Sequence, residues 1–296
     1  MQILFSTSYS VIALNTLTSE AFAIERGSGL YYGLTKYEES FILAACRRLV
    51  SSSIPRSEER GCLVRVPFRG PKEIIEAPFP LRDVHALAAI GDELLLTCSL
   101  DEKIAIYRHG AWSQWHPVGL PEQEGVDRRH LNTFYQGPEG FWIMSHNFGP
   151  SEAIRFDETT REILERVPIG VQAHNIWFDH GLMRTCSSGE GRLMGAGLCV
   201  HTGGFPRGYA SDGRHPLVGL NQFASREGRD GTTSRILMMD MNYTIVKQFA
   251  FPDEGMLLDI LPISTSDFDQ LACDHRGQPG HAVVCSFPLS SELEMA

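Results

Sequence analysis

The sequence predicts an all-β protein: a six-bladed β-propeller whose ring is closed by N-terminal strands that join the last blade. Short apolar, strand-like runs recur along the 296 residues. These runs fall into groups of four, and no long stretch shows the 3.6-residue period of an amphipathic helix. Repeats of about 40–45 residues with four strands each are typical of propeller blades. We therefore expect one propeller domain over residues 1–296.

Six blades are predicted along the chain, and their ranges are 27–79, 80–120, 126–169, 171–202, 204–252, and 255–271 combined with 1–26. In each blade the second run is apolar and ends in a small or thiol residue, as in Leu94–Cys98 and Leu182–Cys186. We interpret these thiols as packing groups where neighbouring blades lie close together. The tail 280–296 fits no blade.

The first residues allow two interpretations. Residues 1–23 are fairly apolar and end in Ala21-Phe22-Ala23, which is typical of a signal-peptidase site. However, no Lys or Arg lies near the start, and Ser and Thr interrupt the apolar run. Strands from this segment would complete the blade that begins at Leu257–Ile263 and would leave no exposed edge. The strand interpretation is therefore favoured, with export as the alternative.

The overall composition argues against several classes of partner and enzyme. The net charge of −10 argues against nucleic acid as a partner, because phosphate binding needs a positive surface. No run approaches the roughly 20 apolar residues that span a bilayer, so no membrane partner is expected. Seven scattered cysteines without a CxxC pair indicate a reducing, cytoplasmic compartment. Local motifs of serine hydrolases, HExxH zinc enzymes and P-loop nucleotidases do not occur.

Three histidines open the innermost strands of consecutive blades. His85, His130 and His174 follow one another at spacings of 45 and 44 residues. Innermost strands line the central channel, so these imidazoles should converge near the axis. Three interpretations remain open. They hold one divalent metal ion with an open coordination position, they act as general acid and base without metal, or they only line a wet channel.

Other polar residues occupy the equivalent or adjoining positions. Arg207 is suited to hold a carboxylate or phosphate bidentately, although it could instead bond carbonyl groups of a neighbouring blade. The remaining candidates for substrate binding are predicted at the innermost strands or at the channel mouth, and they are Tyr32, Asn132, His146, Asn175, Gln222 and Asp259.

Short motifs around these positions carry a family resemblance. They are Asp83-Val-His-Ala86, Arg129-His-Leu-Asn132, Ala173-His-Asn-Ile176 and Gly204-Phe-Pro-Arg-Gly208. In this order they resemble a poorly characterised bacterial family of six-bladed propellers, over about Asp83 to Gln222. The chain departs from the family pattern at Ala86, where the family has an acid, and before His174, where it has a proline. The spacing of the blades, with His at the start of an inner strand, is also similar to that of streptogramin B lyase and lactonase-type propellers. This resemblance implies a divalent metal at the channel mouth.

The resulting hypothesis is a small-molecule enzyme, lyase- or hydrolase-like, that acts at the channel. His85, His130 and His174 would hold one divalent metal or act as acid and base. Arg207 would bind an anionic group of the substrate, which Asn132 and Asn175 would orient. The alternative is a non-catalytic propeller that binds a protein, peptide or small ligand on its top face. That alternative predicts scattered histidines and a closed channel.

Overall fold

The computed structural model describes residues 1–46, 48–123, 125–275 and 285–287. Each group of four short strands joined by turns folds locally into an antiparallel meander, and six such sheets form a ring. This confirms the predicted six-bladed β-propeller. We number the blades from the first complete sheet along the chain.

The strands of blades 1 to 3 follow the chain from the channel outwards. Blade 1 comprises β4 (Leu30–Tyr37), β5 (Ser40–Cys46), β6 (Cys62–Pro67) and β7 (Glu73–Ile75). Blade 2 comprises β8 (Val84–Ile90), β9 (Glu93–Cys98), β10 (Lys103–Arg108) and β11 (Ala111–Trp115). Blade 3 comprises β12 (Thr133–Gly137), β13 (Gly140–His146), β14 (Pro150–Phe156) and β15 (Ile163–Val171).

Blades 4 and 5 repeat this order. Blade 4 comprises β16 (Ala173–Asp179), β17 (Leu182–Ser187), β18 (Arg192–Gly195) and β19 (Leu198–His201). Blade 5 comprises β20 (Phe205–Ser211), β21 (Pro216–Asn221), β22 (Ser234–Met239) and β23 (Ile245–Phe251). A fifth strand, β25 (Cys285–Phe287), pairs with β23. This short strand comes from the tail 280–296, of which the other residues lie outside the described part of the chain.

Blade 6 combines the two ends of the chain. It comprises β24 (Leu257–Ile263), β1 (Gln2–Thr7), β2 (Ser10–Asn15) and β3 (Ala21–Arg26). Strand β1 runs antiparallel to β24, with Gln2 opposite Ile263 and Phe5 opposite Ile260. The predicted closure of the ring by N-terminal strands is therefore confirmed.

Apolar side chains fill the spaces between blades. Six clusters of buried residues occur in the described chain, and each joins two neighbouring blades. Cys98 and Cys186 belong to these clusters and are fully buried, as predicted for packing thiols. Burial raises the pKa of the Cys98 thiol to about 12. The six cysteines whose side chains are described form no disulfide.

One helix lies outside the repeat. Helix α1 (Thr265–His275) follows β24, where the sequence predicts only strands. The hydroxyl of Ser264 accepts a hydrogen bond from the backbone N–H of Asp267, which caps the helix. Phe268 packs against Phe22 with ring centroids 5.2 Å apart, so the helix covers the interface between blades 6 and 1. Within the described residues, no helix has the length and apolar character needed to cross a membrane.

Candidate functional site

One end of the channel opens into a cavity of about 490 Å³. The structure brings seven of the predicted site residues into its lining, namely Tyr32, His85, His130, His146, His174, Arg207 and Gln222. Apolar side chains, including Val50, Phe148, Phe205 and Met256, complete part of the wall. A small organic molecule is the size of ligand that such a cavity admits.

Irregular strand pairing directs these side chains inwards. In blades 1, 2, 4, 5 and 6 the register between the innermost strand and its neighbour shifts near the predicted site position. A β-bulge of this kind bends a strand locally and changes the direction of a side chain. In blade 3 the prediction was wrong in one detail, because His130 precedes β12 and lies in a loop at φ 34°.

Four imidazoles, rather than three, form a chain across the cavity. The ring centroids of His85 and His130 are 4.3 Å apart, and those of His130 and His146 are 4.5 Å apart. His174 follows at 5.9 Å from His146. His146 comes from the end of β13, and all four side chains are buried.

The Nδ1 atoms of His85 and His130 both bond to protein acceptors. His130 Nδ1 lies 2.6 Å from Oδ2 of Asp127, whose other oxygen accepts the His130 backbone N–H at 2.9 Å. His85 Nδ1 lies 2.9 Å from the backbone carbonyl oxygen of Asp83. In the neutral form of each ring, Nδ1 therefore carries the proton and donates it, which leaves a lone pair on Nε2.

His174 has the same arrangement with a hydroxyl partner. Its Nδ1 lies 2.9 Å from Oγ of Ser188. That hydroxyl donates its own proton to the carbonyl oxygen of Pro206 at 2.5 Å, so it accepts from His174. His174 Nε2 is thus also a lone-pair donor. Metal-binding histidines typically have such a partner on the second ring nitrogen.

Two overlapping sets of side chains have the spacing of metal ligands. His130, His146 and His174 offer ligand atoms within 4.8 Å of one another, and so do Asp83, His85 and His130. The predicted trio His85, His130 and His174 is not one of the sets found at this distance among the described residues. Its members are divided between the two sets, which share His130.

A network of ion pairs contacts the acids that lie next to His85 and His130. Arg56 pairs with Asp83 and, at 2.8 Å, with Asp127. Burial alone would raise the pKa of Asp127, but hydrogen bonds and charges from His130 and Arg56 outweigh it and lower the pKa to about 2. Arg48 adds a contact of 3.6 Å to Asp83. Sequence reasoning missed these residues, although each acid precedes a site histidine by two or three positions.

Burial also determines the charge state of three histidines. It lowers the pKa of His146 to about 3, with a further effect from the neighbouring His130. Burial likewise lowers the pKa of His85 and His174 well below the usual value. These rings are therefore neutral at pH 7, as a ligand or general base must be.

Arg207 lies at the base of the cavity without an acidic partner. It is only 6% exposed, its Nε donates to the Leu258 carbonyl oxygen at 3.2 Å, and its guanidinium carbon lies 4.9 Å above the Tyr32 ring. Among the described residues no carboxylate lies within 4.0 Å of it. Burial lowers the pKa of Arg207, while the charges of Asp259 and Asp83 act in the opposite direction from beyond ion-pair distance.

Asn132, Asn175 and Asp259 line a second, smaller cavity of about 60 Å³. His85, His174 and Arg207 line both cavities. The three polar residues are thus not part of the large cavity in which the histidine rings meet.

These three side chains bind backbone groups of neighbouring blades. Asn132 Nδ2 donates to the Ala173 carbonyl oxygen at 3.0 Å, and Asn175 Oδ1 accepts from the Gly208 N–H at 2.7 Å. Asp259 accepts the Leu34 N–H at 3.1 Å, and burial raises its pKa to about 7. Their contacts therefore hold adjacent blades together.

Comparison with known proteins gives matches in structure only. No family model matches the chain, and no curated protein matches it in sequence. A chain from a crystal structure of a nidogen/laminin complex superposes with a TM-score of 0.60 at 12% identity, over 88% of this chain and 97% of that one. A "putative 6-phosphogluconolactonase" from Bacteroides fragilis gives 0.55 at 10% identity, over 89% and 98%. A streptogramin B lyase structure gives 0.45 at 11%, over 80% and 84%. The first two likenesses, at 12% and 10% identity, support the β-propeller fold and nothing beyond it.

Proposed function

We propose that the protein is a small-molecule enzyme, hydrolase- or lyase-like, whose reaction takes place in the histidine-lined cavity. One observation carries the proposal: three histidine Nε2 lone pairs, each fixed by an Nδ1 contact, line the same cavity as an unpaired guanidinium. His85, His130 and His174 are the three histidines, and Arg207 supplies the guanidinium. Acid–base or metal-binding groups beside an anion-binding group form the usual outline of such a site.

The donor set fits one divalent metal ion of the zinc type. Neutral imidazole nitrogens are its preferred ligands together with a carboxylate, and Asp83 lies in one of the two candidate sets. Such an ion, when bound, polarises a carbonyl group or lowers the pKa of water. In this proposal Asp83, His85 and His130, which form one of the two sets at ligand spacing, would hold the ion, and His174 would act beside it as a base.

The side chains of this protein would perform the remaining tasks. Arg207 would bind a carboxylate or phosphate group of the substrate. Asp127 would fix the tautomer of His130, so that its Nε2 can bind a ligand or accept a proton. Tyr32, His146 and Gln222 would contact the substrate in the cavity. Asn132, Asn175 and Asp259, first expected to bind substrate, would act indirectly by holding the inner strands in place.

The clustering of the histidines supports an enzyme over a non-catalytic scaffold. A propeller that only binds a protein or peptide has no need for four buried imidazoles with centroids 4.3–5.9 Å from their neighbours. The open cavity supports the same choice. The described cysteines form no disulfide, which agrees with our proposal that the protein works in the reducing cytoplasm.

Elemental analysis of the purified, tag-free protein tests the metal site. The comparison is with a variant in which His85, His130 and His174 are all replaced by Ala, and with the surface variant His201→Ala. We expect near-stoichiometric metal in the parent protein and His201→Ala, and its loss in the triple variant. No metal in the parent protein, even after incubation with divalent ions, would exclude the metal-dependent form.

A substrate screen tests the reaction class. Because a neighbour in fold has a lactonase name, the first panel should contain anionic lactones and esters, with the metal that analysis identifies. We expect turnover by the parent protein that His130→Ala abolishes while the melting temperature changes little. Binding of a protein or peptide to the cavity face, with no turnover of any small molecule, would favour the scaffold.

A further inference from the structure

His146 differs from the other three histidines in its hydrogen bonding. Its Nδ1 lies 3.1 Å from the backbone nitrogen of Phe148, and that N–H donates to it. A nitrogen that accepts a hydrogen bond has a lone pair and no proton. In the neutral ring the proton must then be on Nε2. His85, His130 and His174 have the opposite tautomer.

The Nε2 of His146 has no hydrogen-bond partner in the described structure. It is a buried polar atom, and the residue is only 4% exposed. A buried N–H that lacks an acceptor destabilises the fold, so a native protein seldom retains one without a ligand or water. The residue lines the cavity, which makes the cavity the place where an acceptor can be supplied.

We propose that His146 is not a metal ligand but a hydrogen-bond donor, whose Nε2–H binds an oxygen atom of the substrate. The substrate is therefore a compound with a carbonyl or carboxylate oxygen. This oxygen would lie close to the part of the substrate that faces Nε2 of His130 and His174. That the bound compound is a substrate rests on the proposed function. The tautomer assignment stands independently of it.

Nuclear magnetic resonance decides the tautomer directly. Long-range ¹H–¹⁵N correlation spectra distinguish protonated from unprotonated ring nitrogens, and His146→Gln identifies the signals of His146 by difference. We expect a protonated Nε2 for His146 and a protonated Nδ1 for His85, His130 and His174. A protonated Nδ1 on His146 would overturn the proposal.

Cobalt binding separates donor from ligand. Gln can place its side-chain N–H near the position of His Nε2, so His146→Gln should bind Co²⁺ within about threefold of the parent protein. His130→Gln should lose at least about tenfold, as expected when a ligand is removed. Equal losses in the two variants would overturn the proposal. If the parent protein binds no Co²⁺, the metal form of the proposed function fails, while the tautomer spectrum still decides the role of His146.

Acetate serves as a minimal probe of the oxygen site. Its addition should shift the Nε2–H signal of His146, and the dissociation constant should rise at least about tenfold in His146→Met, because a lost donor to a charged group is worth 1.5–3 kcal/mol. His146→Gln should retain most of the affinity, and the surface control His201→Gln all of it. If the signal stays unshifted at high acetate concentration, no acetate oxygen binds this N–H and the proposed oxygen site is overturned.

Discussion

Asp127 holds His130 at two points, because one carboxylate oxygen accepts the backbone N–H and the other accepts the ring Nδ1–H. The first bond fixes the loop in which His130 lies. The second fixes which ring nitrogen has the lone pair. A single carboxylate thus determines both the position and the chemistry of the residue shared by the two candidate metal sets.

Replacing Asp127 by Asn should weaken metal binding more than it weakens the fold of the cavity. An amide N–H₂ opposite Nδ1 favours the tautomer with the proton on Nε2, which removes the lone pair. We expect Co²⁺ affinity to fall about 10–100-fold, as measured by absorbance titration. Glu122→Gln is the matched control, because Glu122 pairs with Arg128 at the surface. Unchanged affinity in Asp127→Asn would contradict the assigned role.

Acid should unfold the metal-free protein through its buried histidines. His85, His146 and His174 have lowered pKa values in the fold, whereas an unfolded histidine titrates near 6.5. The unfolded chain therefore binds more protons below pH 6.5, and the free energy of unfolding falls as pH decreases. Each histidine contributes up to about 1.4 kcal/mol per pH unit.

Urea denaturation between pH 7.5 and 4.5 measures this slope. His146→Gln should reduce it by about one proton, while exposed His201→Gln should leave it unchanged. The same slope in His146→Gln and the parent protein would mean that His146 is not neutral in the fold.

Arg207→Met should separate ligand binding from stability. Removing this buried charge, which has no carboxylate of the described residues within ion-pair distance, stabilises the fold. Losing the hydrogen bond to Leu258 and the contact with the Tyr32 ring destabilises it. We expect the melting temperature to change by only a few degrees, while stabilisation by added inorganic phosphate disappears. A large fall in melting temperature would show that the guanidinium is primarily structural.

Gly219→Ala should disrupt the inner strands of blades 5 and 6. A Cβ atom there would lie 2.1 Å from the Arg207 carbonyl oxygen and 2.2 Å from Cδ2 of Leu257. Overpacking of this kind costs about 1–3 kcal/mol or more, so both urea stability and phosphate binding should fall. Gly231→Ala is the control, since no atom lies within 4 Å of its added Cβ. Equal stability of the two variants would contradict this close packing.

The repeat allowed the ring to be predicted, because each blade repeats one local pattern of strands and turns. The positions of His85, His174 and Arg207 followed from that repeat. Ser264 and Asp267 at the start of α1 form a helix-capping pattern, which the strand repeat does not contain. An acid shortly before a histidine, as at Asp127 and His130, was also a readable signal.

Other parts of the site depend on tertiary structure. Arg56 lies in a long loop of blade 1 and reaches Asp127 before blade 3, a contact between segments 71 residues apart. The opposite tautomers of His146 and His130 depend on single hydrogen bonds that no spacing reveals. Asn132 and Asn175 adjoin site positions, but their amides bind the backbone of neighbouring blades.

The pairing of β1 with β24 has a consequence for how the site is assembled. One edge of β1 can pair only with β24, a strand that begins more than 250 residues later in the chain. Such distant contacts form slowly, because loop-closure entropy opposes them. Leu258, the acceptor for Arg207, lies on β24. We therefore expect the guanidinium to be oriented late in folding, so that anion affinity appears during refolding when β1 and β24 pair.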